Sequence, residues 1–214
     1  MSEEYRAVVI GTSAGGMTAL TTILAMLPED FTLSVIIVQH ILEEGMDGYR
    51  TGFLDKRCAL PVKEAMDKEP LQPGTVYLAP AGYHLLLEQA GTLSLSVDAP
   101  VNFSRPSIDV LFESAAVALG ARLVGIILTG ANSDGSQGIK KIKECRGYVI
   151  VQDPAEAEVP AMPLAAIEST EIDQILPLAR IGSFLAEHGA QAVRKTKTPP
   201  LNQKNSRVDA NGSV

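Results

Sequence analysis

Tryptophan is absent from this chain, and 214 residues hold only three histidines and two cysteines. Cys58 and Cys145 are too few for a disulfide framework, and their spacing fits no metal site, so both are read as reduced thiols. No basic, apolar leader opens the sequence, and no apolar run approaches the ~18 residues that span a bilayer. A cytoplasmic protein without membrane insertion is the expectation. Excess positive charge is lacking too. The net charge is −7, and residues 191–214 carry +4 of it, which leaves −11 on residues 1–190. A surface so acidic argues against nucleic acid as a partner. The tail itself, with Arg194, Lys195, Lys197, Lys204 and Arg207 but hardly any large apolar side chain, cannot bury enough surface to offset its ordering entropy. It is expected to be a disordered polar and basic extension of one domain over 1–190.

Within that domain, apolar runs alternate with helical patterns, as in stacked βαβ units. Buried strands are predicted at 6–10 ("RAVVI"), 34–38 ("SVIIV"), 122–130 ("RLVGIILTG") and 148–152 ("YVIVQ"), with a last one at 172–177. Helices are predicted after the first strand, over 107–120, over 136–145 and at the C-terminal end. "TVYLAP", "YHLLLE" and "TLSLSV" follow one another closely with Gly74, Gly82 and Gly91 around them, and read as inserted antiparallel ribbons. The expected architecture is therefore a single α/β domain, doubly wound, with a mostly parallel sheet, helices on both faces and an antiparallel ribbon.

The first strand runs into "GTSAGG", and such a strand–turn–helix can cradle a phosphate or raise a nucleophile. A dinucleotide loop needs glycine at its second fingerprint position and an acid about ~20 residues on, at the end of the next strand. Here those places hold Ser13 and Gln39-His40, and no Lys-Ser/Thr pair of a P-loop follows. The same letters match G-x-S-x-G at Gly11, Ser13 and Gly15, an elbow that lifts a serine at a strand's carboxyl end. A nucleophile needs a base, and the scarcity of histidine shortens the search. His40 ends the second strand, on the edge where open α/β sheets build their sites. His84 begins a ribbon strand and His188 adjoins the tail, so both are read as surface or half-buried imidazoles. Asp134, in "LTGANSDG", ends the third strand. It reads equally as the acid that orients His40 and as an Asx turn or cap for the helix after Gly135.

Taken together, "VIGTSAGG", "VQH", "GTVYLAPAGYHL", "RPSIDVLF", "GIILTGANSDG" and "VIVQDP…AMPLAAI" resemble the CheB-type chemotaxis receptor methylesterase family, over roughly residues 6–186. The resemblance implies a serine hydrolase that removes methyl esters from receptor glutamates and deamidates receptor glutamines. Ser13 would be its nucleophile, His40 its base and Asp134 the partner of His40, with no metal or other cofactor. The oxyanion would meet amides at Ala14 and in the Gly130–Ala131 turn, with Asn132 beside them in the pocket. The cytoplasmic helices of methyl-accepting chemotaxis receptors would be the protein partner. The family's receiver domain is expected to be missing from this chain, so that a separate receiver protein could act in its place. Three positions depart from the family: Ala14 replaces a usual Thr, Ala131-Asn132 a Met-Gly, and Leu42 a common proline. A reshaped pocket leaves two alternatives: an esterase or amidase on another protein or small ester, or a catalytically weak binding module on the same fold.

Overall fold

The computed structural model describes residues 5–40 and 47–194. Seven strands form one sheet in the order β3-β4-β2-β1-β7-β8-β9, and every pair in it is parallel. They are β1 (Ala7–Thr12), β2 (Ser34–Gln39), β3 (Val62–Glu64), β4 (Val76–Leu78), β7 (Leu123–Ile127), β8 (Tyr148–Gln152) and β9 (Gln174–Leu176). The helices are α1 (Gly16–Leu24), α2 (Asp47–Asp55), α3 (Ile108–Leu119), α4 (Ser136–Glu144), α5 (Ala161–Ser169) and α6 (Leu178–Arg194).

The central strands are apolar on both faces because both faces are covered. In β1, Ala7 and Val9 pack into one core with α3, α4 and α5, while Val8 and Ile10 pack into another with α1 and α6. Every residue of β1, β2 and β7 is buried. Each fully buried aliphatic side chain contributes about 1.5–3 kcal/mol of transfer free energy, which fixes the register of these strands. The doubly wound parallel sheet and the covering of both faces agree with the expectation from sequence.

The inserted ribbon is smaller than expected. "TVYLAP" does not join it: β4 pairs in parallel with β2 and β3 inside the main sheet. Only β5 (His84–Leu87) and β6 (Leu93–Ser96) form the antiparallel ribbon, which packs Leu85, Leu87 and Leu93 onto the α3 side of the sheet. Full burial of Val76, Tyr77 and Leu78 explains the assignment, since a two-stranded surface ribbon could not bury both faces of a strand. The last helix runs to Arg194, past the expected boundary at 190, and the rest of the expected tail, 195–214, lies outside the described residues. Among the described residues, no helix is long and apolar enough to cross a membrane.

Candidate active site

Chain direction in the sheet decides what can meet. β1 is central, β2 lies on one side of it and β7 on the other. The chain leaves β1 toward β2 and leaves its neighbour β7 toward β8, in opposite directions. The crevice outside the carboxyl ends of two such strands is where open α/β sheets bind ligands. Backbone bonds continue past the strands and tie the three exits together. The His40 amide donates to the Thr12 carbonyl at 3.0 Å, and the Ser13 amide donates to the Thr129 carbonyl at 3.0 Å.

Ser13 occupies the turn between β1 and α1, as the elbow pattern requires. Gly15, which caps α1, has φ +77°, and a Cβ there would lie 2.8 Å from Oε2 of Glu158. Only glycine meets both demands without strain. Thr129 braces the turn from below. Its hydroxyl donates to the Ala14 carbonyl at 2.9 Å and accepts from the Val159 amide at 2.9 Å, and its carbonyl also accepts from the Thr12 hydroxyl at 2.9 Å.

His40 and Asp134 are in direct contact: Nε2 of the imidazole lies 2.7 Å from Oδ2 of the carboxylate. The carboxylate accepts there, so the neutral ring carries its proton on Nε2 and its Nδ1 lone pair is an acceptor. That is the reverse of the usual Ser-His-Asp template, in which Nδ1 faces the acid. The Asn132 amide nitrogen lies 3.4 Å from Nδ1. Among the described residues, the Ser13 hydroxyl makes no hydrogen bond with His40, although the two stand at the ends of adjacent strands. Catalytic hydrogen bonds are often long without substrate and tighten on binding.

Asp134 is fully buried and accepts more than the His40 bond. Oδ2 also takes the Ile108 amide at 2.7 Å, and Oδ1 takes the Ser107 hydroxyl at 2.9 Å and the Asp109 amide at 3.2 Å. The carboxylate thus caps the first amides of α3, where the helix dipole favours negative charge. Burial raises the Asp134 pKa, but the His40 hydrogen bond, the Ile108 amide and the Asp109 amide outweigh it and hold the carboxyl below its ordinary value. The contact with His40 and a capping bond occur together at Asp134. It bonds His40 and it is a cap, but for α3 rather than for the helix after Gly135, whose N-cap has no side-chain bond. The Asx-type bond nearby is made by Asn132, whose Oδ1 accepts the Asp134 amide at 3.2 Å.

The amides expected at the oxyanion differ in what they bond. No hydrogen bond takes up the Ala14 or Ala131 amide among the described residues, whereas the Gly130 amide is committed to the Val159 carbonyl at 3.0 Å. Gly130 is needed for packing instead, since a Cβ there would lie 2.5 Å from the Met162 methyl. Asn132 and Ala131 are exposed at the mouth of the crevice, and Leu42 falls outside the described residues. His84, expected at or near the surface, is buried. Nδ1 accepts the Ser107 amide at 3.2 Å and Nε2 sits 3.1 Å from the Ala99 carbonyl, so it anchors the segment leading into α3. His188 is half-buried on α6, as expected, and stacks on Phe184. Cys58 and Cys145 are free.

Comparison with known proteins gives the family. The profile of the CheB methylesterase family matches residues 8–185. A protein of Leptospira interrogans, provisionally named a protein-glutamate methylesterase/protein-glutamine glutaminase, is 52% identical over 84% of this chain and 93% of its own length. The protein-glutamate methylesterase/protein-glutamine glutaminase of Thiobacillus denitrificans is 40% identical over 91% of this chain, which spans 56% of that longer protein. The crystal structure of the Thermotoga maritima CheB methylesterase catalytic domain superposes with a TM-score of 0.82 at 36% identity, covering 86% of this chain and 99% of that one. A serine elbow, a buried Asp-His pair on the same sheet edge, and sequence likeness along nearly the whole domain converge: the chain belongs to the CheB methylesterase family.

Proposed function

We propose that this protein hydrolyses glutamyl methyl esters on the cytoplasmic helices of chemotaxis receptors, and deamidates receptor glutamines, through Ser13, His40 and Asp134. The observation that carries the proposal is the 2.7 Å His40–Asp134 bond at the sheet edge where the G-x-S-x-G elbow exposes Ser13. In this reading the Ser13 hydroxyl attacks the ester carbonyl while Nδ1 of His40 takes its proton. The buried Asp134 carboxylate stabilises the imidazolium that results. The tetrahedral oxyanion is received by the Ala14 and Ala131 amides beside the N-terminal end of α1. His40 returns the proton to the departing methoxide, and methanol leaves. A water then gives its proton to His40, attacks the acyl-serine and releases the glutamate, with the proton passing back to Ser13. With a glutamine side chain, ammonia leaves instead of methanol. Apart from substrate and that water, the groups this scheme uses are side chains and amides of the chain itself.

The test is methanol release from a receptor cytoplasmic fragment carrying glutamyl methyl esters. Wild type is expected to release methanol and Ser13→Ala to release none above the uncatalysed rate. Equal release by the two proteins would end the proposal.

A further inference from the structure

Asp134 has a counterpart that the hydrolytic scheme leaves unused. Asp109, in the first turn of α3, is buried, and its Oδ1 accepts the Gly138 amide of α4 at 2.7 Å. Asp134, which precedes α4, caps α3 in turn. The two helices therefore exchange caps through two buried aspartates, and Gly138 permits the close approach, since a Cβ there would lie 2.5 Å from Cβ of Phe112. Two carboxylates so near each other, far from water, repel unless a donor stands between them. Asn102 supplies it. Its amide nitrogen is 2.9 Å from Oδ2 of Asp109 and 3.4 Å from Oδ1 of Asp134, one N–H for each.

The backbone is bent to deliver that amide. Val101 and Ser104 exchange reciprocal hydrogen bonds of 3.1 and 2.9 Å around a two-residue turn whose central residues, Asn102 and Phe103, have φ of +49° and +60°. Both torsions positive is the pattern of a type I′ turn. Asparagine tolerates it, but a phenylalanine there costs about 1–2 kcal/mol, and the Phe103 ring gains no burial in return, being fully exposed. Strain of this kind persists where surrounding structure requires it and gathers at functional sites.

We propose that Asn102 is a positioning residue of this site: its amide clamps Asp109 to Asp134 and so fixes the carboxylate against which His40 is aligned. The proposal rests on the reading of Ser13, His40 and Asp134 given above. The groups facing Asp109 agree with it. They are the Asp134 carboxylate, Glu113 one turn along α3, the amides of Gly135 and Gly138 at the head of α4, and Asn102. Burial, with the Asp134 and Glu113 charges, pushes the Asp109 carboxyl up to about 6 against the pull of the two glycine amides. A neutral donor is what such a pair requires, because a lysine or arginine in its place would compete with His40 for the Asp134 charge.

The experiment uses the rate at which a fluorophosphonate labels Ser13, followed by intact mass between pH 5.5 and 8.5. It compares wild type with Asn102→Gly, which keeps the left-handed turn and loses the amide, and Asn102→Asp, which keeps the shape and replaces the two N–H donors with a carboxyl. Asn102→Gly is expected to lower the maximal labelling rate roughly tenfold to a hundredfold, the scale of a misplaced catalytic group, with the reagent's half-saturating concentration unchanged. For Asn102→Asp the deficit against wild type should widen as pH rises, because its carboxyl donates only while protonated. Melting temperatures show that the labelled proteins are folded. If Asn102→Gly melts lower but labels at the wild-type rate, or if both variants keep wild-type rates and a parallel pH profile, the positioning role is refuted while the hydrolase reading stands. If wild type itself is not labelled at Ser13, the reading of the site fails, and this proposal with it.

Discussion

Replacing Asp134 with asparagine should unfold this protein more readily than replacing Ser13, although both are candidate catalytic positions. The difference follows from what each side chain holds. Among the described residues the Ser13 hydroxyl makes no hydrogen bond, so Ser13→Ala is expected to stay within about 0.5 kcal/mol of wild type. Asp134 accepts from His40, Ser107, Ile108 and Asp109 at 2.7 to 3.2 Å while fully buried. In Asp134→Asn one oxygen becomes a donor. If the nitrogen takes the place of Oδ2, it confronts the Ile108 amide; if it takes the place of Oδ1, it confronts the Asp109 amide. His40 can change tautomer and Ser107 can rotate its hydroxyl, but a backbone N–H cannot adapt. One orphaned buried amide costs about 1–3 kcal/mol, and the remaining bonds together lose roughly 1 kcal/mol once both the charge and its desolvation cost are gone. The expected loss is about 3 kcal/mol, a large share of the ~5–15 kcal/mol that folded domains possess. Urea denaturation at pH 7 measures it, and a fall of about 6–12 °C in melting temperature should accompany it for a chain of this size. The sign of the pH dependence is also fixed. The folded Asp134 carboxyl sits below its ordinary value, so its contribution is present at neutral pH and is lost as pH falls through the folded value. The gap between wild type and Asp134→Asn should therefore narrow in acid. A variant within about 0.5 kcal/mol of wild type at pH 7 would refute the claim that this carboxylate caps α3.

Asp109 should behave with the opposite sign, because its carboxyl ionises at about 6 in the folded protein and near ~4 when unfolded. Its stabilising influence is full below about 4 and is lost between about 4 and 6, a change of roughly 3 kcal/mol. Urea titrations should accordingly find the deficit of Asp109→Asn larger at pH 4.5 than at pH 7; an equal deficit at both would contradict the shift. Thr129→Val keeps shape but removes the acceptor of the Val159 amide and the donor to the Ala14 carbonyl, so it should cost about 2 kcal/mol in a denaturation curve. Gly15→Ala must place a Cβ against Glu158 at positive φ, with a penalty of about 1–2 kcal/mol for the torsion alone and slower labelling of Ser13. Asn132→Gly removes the amide that faces Nδ1 of His40 at 3.4 Å, and the labelling rate of Ser13 should rise. A rate that falls instead would show that Asn132 assists the base rather than occupying it.

Much of this site is legible in the sequence because it lies where strong local patterns end. The runs "RAVVI", "SVIIV" and "GIIL" announce buried parallel strands, and Ser13, His40 and Asp134 follow their ends within a few residues. Short elements were not legible. β3 has only three residues, and β4 stands so near β5 and β6 in sequence that it reads as part of their ribbon. The α5 helix escaped notice because Met162, Pro163 and Ala166 alone are buried along it, too sparse a stripe to mark a helical period. The supporting residues were hidden for a different reason. Asn102, Ser107, Asp109 and Thr129 are ordinary polar residues at turns and helix starts, where local capping explains them sufficiently. Their partners lie on other elements, as with Asp109 on Gly138 and Thr129 on Ala14, and only the folded chain reveals that. The Gly130 amide was misassigned by the same logic, since nothing in "LTGAN" shows that Val159 returns to claim it.

The most direct test of the account is whether His40 activates Ser13. Wild type treated with a serine-directed fluorophosphonate should gain one adduct per chain, mapped by peptide mass to Ser13, and His40→Ala should gain almost none under the same conditions. Labelling of Ser13 at equal rates in the two proteins, or an adduct on any other serine, would contradict it.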